Sequence, residues 1–109
     1  MNISHQRQGP AIVVCLEGEL GHHEARSVMQ YLEHVYDLYA MEPVILDLRR
    51  LTFMDSSGIA VALMAARRAK ENGGKLEIRH APPQAMRVFR AAGIDRMVTF
   101  GEQEETSHG

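Results

Sequence analysis

The residues best placed to do chemistry are two adjacent serines that follow an aspartate, in Asp55-Ser56-Ser57-Gly58. Their hydroxyls can cap a helix or act as nucleophiles. Ser and Asp are good N-caps, because their side-chain oxygens accept hydrogen bonds from the unpaired N–H groups of a first helical turn. Gly58 is a poor helix former that is tolerated where another group approaches closely. The simplest interpretation is that both serines cap a helix.

Three interpretations that require catalysis or a bound group fail on the surrounding residues. A serine hydrolase would need a Gly-x-Ser-x-Gly turn and a histidine with an acidic partner, and neither is present. A nucleotide site would need a Gly-x-x-x-x-Gly-Lys loop. His22 and His23 are adjacent and point in different directions, so even with His5 or His80 they form no metal-ligand pattern, and a helix-entry loop is favoured. We therefore predict no enzymatic activity, no metal and no cofactor.

The elements that position the serines follow from hydrophobic periodicity. Short apolar runs rich in β-branched residues predict buried strands, and apolar residues spaced by three and four predict helices. Predicted strands cover residues 11–16, 44–48, 75–79 and 97–100, with a weaker one before Gly9, and predicted helices cover 24–40, 59–72 and 82–92. This alternation predicts an α/β fold, with right-handed crossovers onto a mostly parallel sheet of four or five strands and the helices packed against it.

Length and charge restrict the class of protein. The 109 residues fit one domain, 1–109, in which we expect residues 102–109 to be a loose tail. The net charge of -2, with no basic run, argues against direct nucleic-acid binding. No apolar stretch approaches the ~20 residues of a membrane span, and the N-terminus lacks a signal pattern, so we expect a cytoplasmic protein without membrane contact. Cys15 lies in an apolar run and is predicted to be a core residue.

The second long helix is predicted to have two distinct sides. At about 100° per residue, the side expected to face the sheet comprises Ile59, Ala62, Leu63 and Ala66. Ala60, Met64 and Arg67 then lie on a partly exposed side. An adaptable Met between these two neighbours suits a docking surface. A Met that fills a gap beneath a neighbouring loop explains the pattern equally well.

A wider match includes the serine segment and extends over nearly the whole chain. Residues 53–59, preceded by the apolar run 44–48 and followed by Gly73-Gly74, resemble the anti-sigma-factor antagonist branch of the STAS family. Gly18-Glu19-Leu20 with His22-His23 is similar to the family's Gly-Glu-Leu-Asp-His-His stretch, and residues 86–94 are similar to its last helix and final turn. The resemblance implies a STAS fold.

The resemblance also implies a phosphorylation switch at Ser56. In that family the first serine of the motif is phosphorylated by a partner that is both anti-sigma factor and ATP-dependent serine kinase. The unphosphorylated form binds this partner and frees the sigma factor, and a PP2C-type phosphatase reverses the modification. A phosphate would add about -1.5 to -2 charges beside Asp55, and free N–H groups at the helix start could hold it. The partner-binding residues so implied are Asp55, Ser57, Gly58, Ala60, Met64, Arg67, Gly21, His22 and His23.

One departure and one alternative accompany this prediction. Gly21 occupies the position where the family usually has Asp, so a carboxylate near the serine is missing and kinase pairing is expected to differ. STAS modules also occur as accessory subunits of lipid-transport complexes and in stress-sensing assemblies, which is the alternative function. The retained serine segment favours the switch, since a purely structural module needs no such serine.

Overall fold

A single mixed sheet with helices on one face forms the molecule, which is known from a computed structural model that describes residues 1–101. The strands are β1 (Asn2–Gln8), β2 (Ala11–Leu20), β3 (Val44–Asp47), β4 (Leu51–Met54), β5 (Glu77–Arg79) and β6 (Thr99–Phe100). The helices are α1 (His22–Leu38), α2 (Ser57–Glu71) and α3 (Pro83–Ala91), and Ile94–Arg96 form a short 3-10 helix. The predicted tail 102–109 lies outside the described residues.

The long strand β2 organises the sheet. Its strand order is β1-β2-β3-β5-β6, in which β1 is antiparallel to β2 and all other pairs are parallel. The first half of β2 pairs with β3, and Gly18, Glu19 and Leu20 pair with β4, with a register shift between Gly18 and Glu19. Because β3 and β4 follow each other along the same edge of β2, the chain enters α2 directly at the end of β2.

One face of the sheet carries the core. Alternate residues of β2, among them Ile12, Val14 and Leu16, share a cluster with buried residues of all three helices. On the opposite face Ala11, Val13 and Ile45 form a small separate cluster that contains no helical residue. Cys15 is half-buried beside that small cluster, and burial raises the pKa of its thiol, which favours the unreactive protonated form.

The predicted STAS-type α/β fold is confirmed, with more strands than expected. Six strands pair in place of the predicted four or five, because residues 51–54 also form a strand. That strand is only 4 residues long and its middle two side chains are exposed. Its four residues are too few to show a strand pattern in the sequence. Leu51 and Met54 pack into the core, and pairing with the end of β2 completes the strand.

The side of α2 that faces the core differs from the predicted one. The residues of α2 that are buried are Gly58, Val61, Ala62, Ala65 and Ala69. Leu63 is exposed, and Ile59 and Ala66 are half-buried. Small residues face inward because α1 approaches closely, and the hydroxyl of the buried Tyr36 donates to the carbonyl of Ala65 at 3.1 Å. The prediction placed the larger apolar side chains on the buried side of α2 and was wrong, because the buried residues are shifted by about one position along the helix.

Arg68 fixes α2 against α1 at a second point. Its guanidinium donates to Asp37 Oδ1 at 2.8 Å and also to Glu33. The Arg68 guanidinium lies over the Tyr36 ring, 5.4 Å from its centroid. These contacts hold the helix that begins at the serine segment.

No helix within residues 1–101 combines the length and apolar character needed to cross a membrane.

Candidate functional site

The β2–α1 and β4–α2 junctions lie side by side. Leu20 and Met54 are register partners in the parallel pair β2–β4, and the Asp55 N–H donates to the carbonyl of Leu20 at 3.1 Å. A Cβ atom built on Gly21 would lie 3.4 Å from Asp55 Oδ2. The sheet therefore brings Gly21 and His22 next to Asp55, although more than thirty residues separate them in sequence.

Asp55 connects these two junctions. Its Oδ1 accepts the Ser57 N–H at 2.8 Å. This bond lowers the pKa of Asp55, with further lowering by the Ser57 hydroxyl and the His22 backbone N–H. A lowered carboxyl pKa means that these bonds stabilise the fold above the ordinary Asp pKa, and that this contribution disappears as the pH falls through the lowered value. Asp55 is therefore ionised at neutral pH and acts as the cap of α2.

Ser56 is exposed at the start of α2 and does not cap it. Its backbone is already helical, with φ -64° and ψ -14°, and its side chain makes no capping hydrogen bond. The expectation that both serines cap the helix was wrong, because Asp55 supplies the capping oxygen. The Ser56 hydroxyl consequently stands at the surface without a structural task in α2.

The N–H groups of the first turn are already occupied. Ser57 N–H donates to Asp55 Oδ1, Gly58 N–H to the Asp55 carbonyl at 3.1 Å, and Ile59 N–H to the Ser56 carbonyl at 3.0 Å. The N–H groups of residues 57–59 are therefore not the free donors that the sequence analysis expected to hold a phosphate. A phosphoryl group on Ser56 would meet the Asp55 carboxylate where a helix start normally offers open donors.

Gly58 is buried because Met54 lies against it. A Cβ atom at this position would lie 2.3 Å from Met54 Sδ and 2.5 Å from Met54 Cγ. Met54 is itself fully buried, so its side chain has little space into which to move. Gly58 thus lets the start of α2 settle on the end of β4.

We expect Gly58→Ala to lower the free energy of unfolding by about 1–3 kcal/mol, the usual cost of overpacking a core. Urea denaturation followed by circular dichroism measures this change. Gly73→Ala is not a suitable control because Gly73 has a φ of +83°. Ala60→Gly, at an exposed position of the same helix, should cost no more than about 1 kcal/mol, as helix propensity requires. A Gly58→Ala variant as stable as the parent protein would contradict the close contact with Met54.

Gln84 of α3 is a site residue that the sequence analysis missed. Its Oε1 accepts the Met54 N–H at 2.9 Å, and its Nε2 donates to the Met54 carbonyl at 2.7 Å. The side-chain amide thus pairs with the strand edge of β4 as a neighbouring strand would. Nothing in the sequence indicates this pairing, because a Gln near the start of a helix is usually a solvent-facing residue. Gln84 holds the residue immediately before Asp55.

Gln84→Leu is expected to lower the free energy of unfolding by about 1–3 kcal/mol, since it removes both bonds and leaves the Met54 peptide unpaired. Chemical denaturation tests this, and amide hydrogen exchange should show faster exchange at Met54 N–H. Gln30→Leu, at an exposed position of α1, serves as the matched control and should leave both measurements unchanged. Equal stability of the Gln84 variant would mean that water replaces the amide without loss.

His22 and His23 occupy the first turn of α1, not an entry loop. Both are exposed, and their rings are 5.7 Å apart at the centroids. The helix starts this early because Glu24 Oε1 accepts the Gly21 N–H at 3.0 Å and caps the N-terminus. Within residues 1–101, no three side chains of His, Cys, Asp or Glu are grouped in a way that could hold a metal ion.

The remaining predicted partner-binding residues extend along α2. Ala60 is exposed and Met64 is half-buried, in contact with the edge of the core. Arg67 is exposed, 11 residues beyond Ser56, which corresponds to about 16 Å along the helix. The structure therefore groups Asp55, Ser56 and Ser57 with the β2–α1 junction, and it places Arg67 in the other half of α2.

Phe53 adds a large apolar side chain to this end of the molecule. It is 46% exposed on β4, three residues before Ser56. Phe53 belongs to the motif around Ser56, but its sequence position alone does not indicate that it is exposed. Phe53 is exposed because Leu51 and Met54 are the residues of β4 that pack on the core. Aromatic residues are enriched at protein–protein interfaces, so the exposed Phe53 ring is a candidate contact residue.

The comparisons of this chain with known proteins point to one family. Residues 3–99 match the family model described as "Mlab, STAS domain". An anti-sigma F factor antagonist from Paenibacillus polymyxa is 26% identical over 104 residues, which is 95% of this chain and 89% of that protein. Among solved structures, the unphosphorylated form of the anti-sigma factor antagonist SpoIIAA (stage II sporulation protein AA) has a TM-score of 0.77 at 24% identity, covering 92% of this chain and 88% of SpoIIAA.

The phosphorylated form of the Bacillus cell fate determinant SpoIIAA has a TM-score of 0.69, again at 24% identity, covering 92% of this chain and 91% of that chain. At such identities the likeness to solved structures establishes the fold alone. The family model, by contrast, matches almost the whole described part of the sequence. On this match, together with the sheet order and helix placement above, the chain belongs to the STAS-domain family.

Proposed function

We propose that this protein is an anti-sigma-factor antagonist controlled by phosphorylation of Ser56. The unphosphorylated form binds an anti-sigma factor that is also a serine kinase and thereby releases the sigma factor, in the cytoplasm. A PP2C-type phosphatase then regenerates the active form. The observation that carries the proposal is the exposed Ser56 hydroxyl, which makes no capping bond because Asp55 caps α2. The anti-sigma F factor antagonist from Paenibacillus polymyxa, similar over 95% of the chain, supports it.

Electrostatics explain how phosphorylation would act without unfolding the site. The dianion would stand next to the ionised Asp55, and the first-turn N–H groups of α2 are already used. A partner that covers Ser56 must then remove water from about -1.5 to -2 extra charges that lie beside a carboxylate. Both effects oppose docking. Because the Asp55 bonds are unaffected by a modification of Ser56, the backbone need not move for the contact to be lost.

The surroundings of Gly21 show what a carboxylate at this position, where the family usually has Asp, would contact. A Cβ atom there would lie 3.2 Å from Glu24 Oε1 and 3.4 Å from Asp55 Oδ2. A third carboxylate at residue 21 would therefore face two others. Negative charge is already present at this junction without it, and we propose that Glu24 and Asp55 together supply the acidic surface that the kinase meets.

A phosphorylation assay tests the proposal directly. The purified protein is incubated with its cognate anti-sigma kinase and with ATP, and the modified residue is located by mass spectrometry. Incorporation of one phosphate at Ser56, lost in Ser56→Ala and retained in Ser27→Ala on the exposed part of α1, is the expected result. No phosphate within residues 55–58 would refute the assignment of the switch.

The exposed side of α2 should contribute to the same contact. We expect Met64→Glu to weaken kinase binding tenfold or more, because a half-buried Met at an interface would be replaced by a charge that must be desolvated. Isothermal titration calorimetry measures the affinity, and a thermal melt checks the fold. Leu38→Glu, at an exposed position of α1, is the matched control. Unchanged affinity of the Met64 variant would remove this residue from the interface.

The alternative function keeps the fold and omits the switch. The description of the matching family model names Mlab and does not mention anti-sigma-factor antagonists. An accessory STAS subunit of a lipid-transport or stress-sensing complex is therefore the second candidate. The two candidates differ in one measurable respect. An accessory subunit would bind its partner equally well with Ser, Ala or Asp at position 56, whereas the antagonist would not.

A further inference from the structure

A groove lies along the C-terminal half of α2, beyond the serine segment at which that helix begins. It has a volume of about 580 Å³. One side is α2 itself, and the other is formed by the turn after α2 and by the residue that ends the 3-10 helix. We call it the α2 groove, and its lining includes Leu63, Ala66, Arg67, Lys70, Lys75 and Met97.

Two large apolar side chains face this groove from opposite sides. Leu63 is 37% exposed and Met97 is 46% exposed. Single exposed apolar residues are common on protein surfaces and need no explanation. Here, however, both side chains line one concave space. Ala66 lies between Leu63 and Lys70 on α2, and its small side chain leaves room for a side chain of a ligand.

The charges around the apolar part all have one sign. Arg67, Lys70 and Lys75 line the groove, and no acidic residue does. Among residues 1–101, these three cations form no ion pair. The adjacent Arg68, in contrast, is engaged by acidic residues of α1. The groove therefore presents a local charge of about +3 on a chain whose net charge is -2.

We propose that the α2 groove binds an acidic amphipathic helix of a partner protein. Leu63, Ala66, Arg67 and Lys70 recur at i, i+3, i+4 and i+7, so they form one stripe along α2 against which a second helix can lie. An apolar side chain of the partner enters between Leu63 and Met97. Carboxylates one turn away on either side reach Arg67, Lys70 and Lys75 and provide the complementary charge.

The shape of the groove favours a helix over an anionic lipid surface, which could use the same residue types. A bilayer requires apolar side chains that protrude from a convex face. The α2 groove is a recess between two elements, and its apolar residues line the recess. A rod-like ligand of roughly 10 Å diameter fits such a recess better than a flat membrane does.

This contact is separate from the serine segment. Leu63 and Lys70 lie 7 and 14 residues beyond Ser56, which places them about 10 Å and about 21 Å along α2. A helix in the groove can therefore bind whether or not Ser56 is phosphorylated, and it competes with the kinase only where both contact Arg67. We expect its affinity to change by no more than about twofold between Ser56 and Ser56→Asp, which also makes this inference independent of the proposed switch.

The experiment uses a synthetic peptide of about 18 residues, roughly five helical turns, with Leu along one stripe and Glu on both flanks. A peptide of the same composition in scrambled order removes the amphipathic pattern. Both are titrated into the 15N-labelled full-length protein and followed by NMR. We expect shift changes confined to residues 63–75 and 96–98 with the patterned peptide, and affinity that falls as salt rises.

Variants locate the binding to the groove. Lys70→Glu with Lys75→Glu should weaken binding of the patterned peptide tenfold or more, and Met97→Glu should do the same through the apolar contact. Arg87→Glu with Arg90→Glu reverses two exposed cations of α3 that do not line the groove, and it should change the affinity less than twofold.

Five results would overturn the inference. The first three are equal binding of the scrambled peptide, shift changes that map elsewhere, and no binding at about 1 mM peptide, which corresponds to a negligible affinity. The fourth is retention that is stronger on phosphatidylglycerol vesicles than on phosphatidylcholine vesicles and that depends on the groove cations. Concentration-dependent dimerisation through Leu63 and Met97, seen by sedimentation without peptide, would assign the groove to a second copy and would also overturn it.

Discussion

Replacing Ser56 with aspartate is expected to weaken binding to the anti-sigma kinase by about 100-fold or more, whereas Ser56→Ala should bind within about threefold of the parent protein. A new carboxylate would lie beside the ionised Asp55 at a start of α2 where the N–H groups of residues 57–59 are already bonded. Desolvating an unpaired charge in an interface typically costs 2–5 kcal/mol, and about 2.8 kcal/mol corresponds to 100-fold in affinity. Isothermal titration calorimetry or surface plasmon resonance provides the two dissociation constants.

The control places the same charge away from the site. Ser27→Asp changes an exposed serine on α1 and alters the net charge by the same amount, so it should leave the affinity unchanged within about twofold. Both aspartate variants should unfold at similar urea concentrations, since Ser56 makes no capping bond. If Ser56→Asp binds as tightly as Ser56→Ala, negative charge at residue 56 does not close the contact and the proposed switch has no physical basis.

Removing the exposed aromatic ring of Phe53 should have the second-largest effect. We expect Phe53→Ala to weaken kinase binding about 30-fold, because truncation of a central aromatic residue in an interface usually costs 2 kcal/mol or more. Phe53 is 46% exposed, and the backbone that follows it is fixed by Gln84 through Met54. A rigid aromatic residue loses little conformational freedom on docking, so most of its contact energy contributes to affinity.

The matched control is Leu38→Ala, which truncates an exposed apolar residue on α1. It should leave binding unchanged. Because Phe53 is largely outside the core, its variant should also retain most of its stability in urea. Loss of binding together with loss of folded structure would show instead that Phe53 supports β4. Unchanged binding in a folded Phe53→Ala variant would exclude Phe53 from the contact.

The two predictions distinguish different parts of the proposal. The Ser56 variants test whether charge controls docking, and the Phe53 variant tests which surface docks. A result in which Phe53→Ala fails to bind while Ser56→Asp binds normally would retain this end of the molecule as an interface without a switch. That outcome would favour the accessory-subunit alternative over the antagonist.

The sequence alone was sufficient for the fold class and the position of the serine segment. Apolar runs at 11–16 and 44–48 and helical periodicity in α1 and α2 are local signals, because β-branched runs and apolar spacings of three and four indicate strands and helices whichever side is finally buried. The resemblance carried by residues 53–59 and 18–23 led to the STAS family, which the match over residues 3–99 shows. Those features depend on neighbours in sequence.

Tertiary structure decided the chemistry of the site. Whether Ser56 caps α2 depends on Asp55, whose side chain also receives the backbone N–H of His22 from the β2–α1 junction. The clamp of Gln84 on Met54 and the exposure of Leu63 likewise depend on elements far apart in the chain. Hydrogen-bond partners across such separations are chosen by the three-dimensional packing of strands and helices, and one sequence carries no local pattern that records that choice.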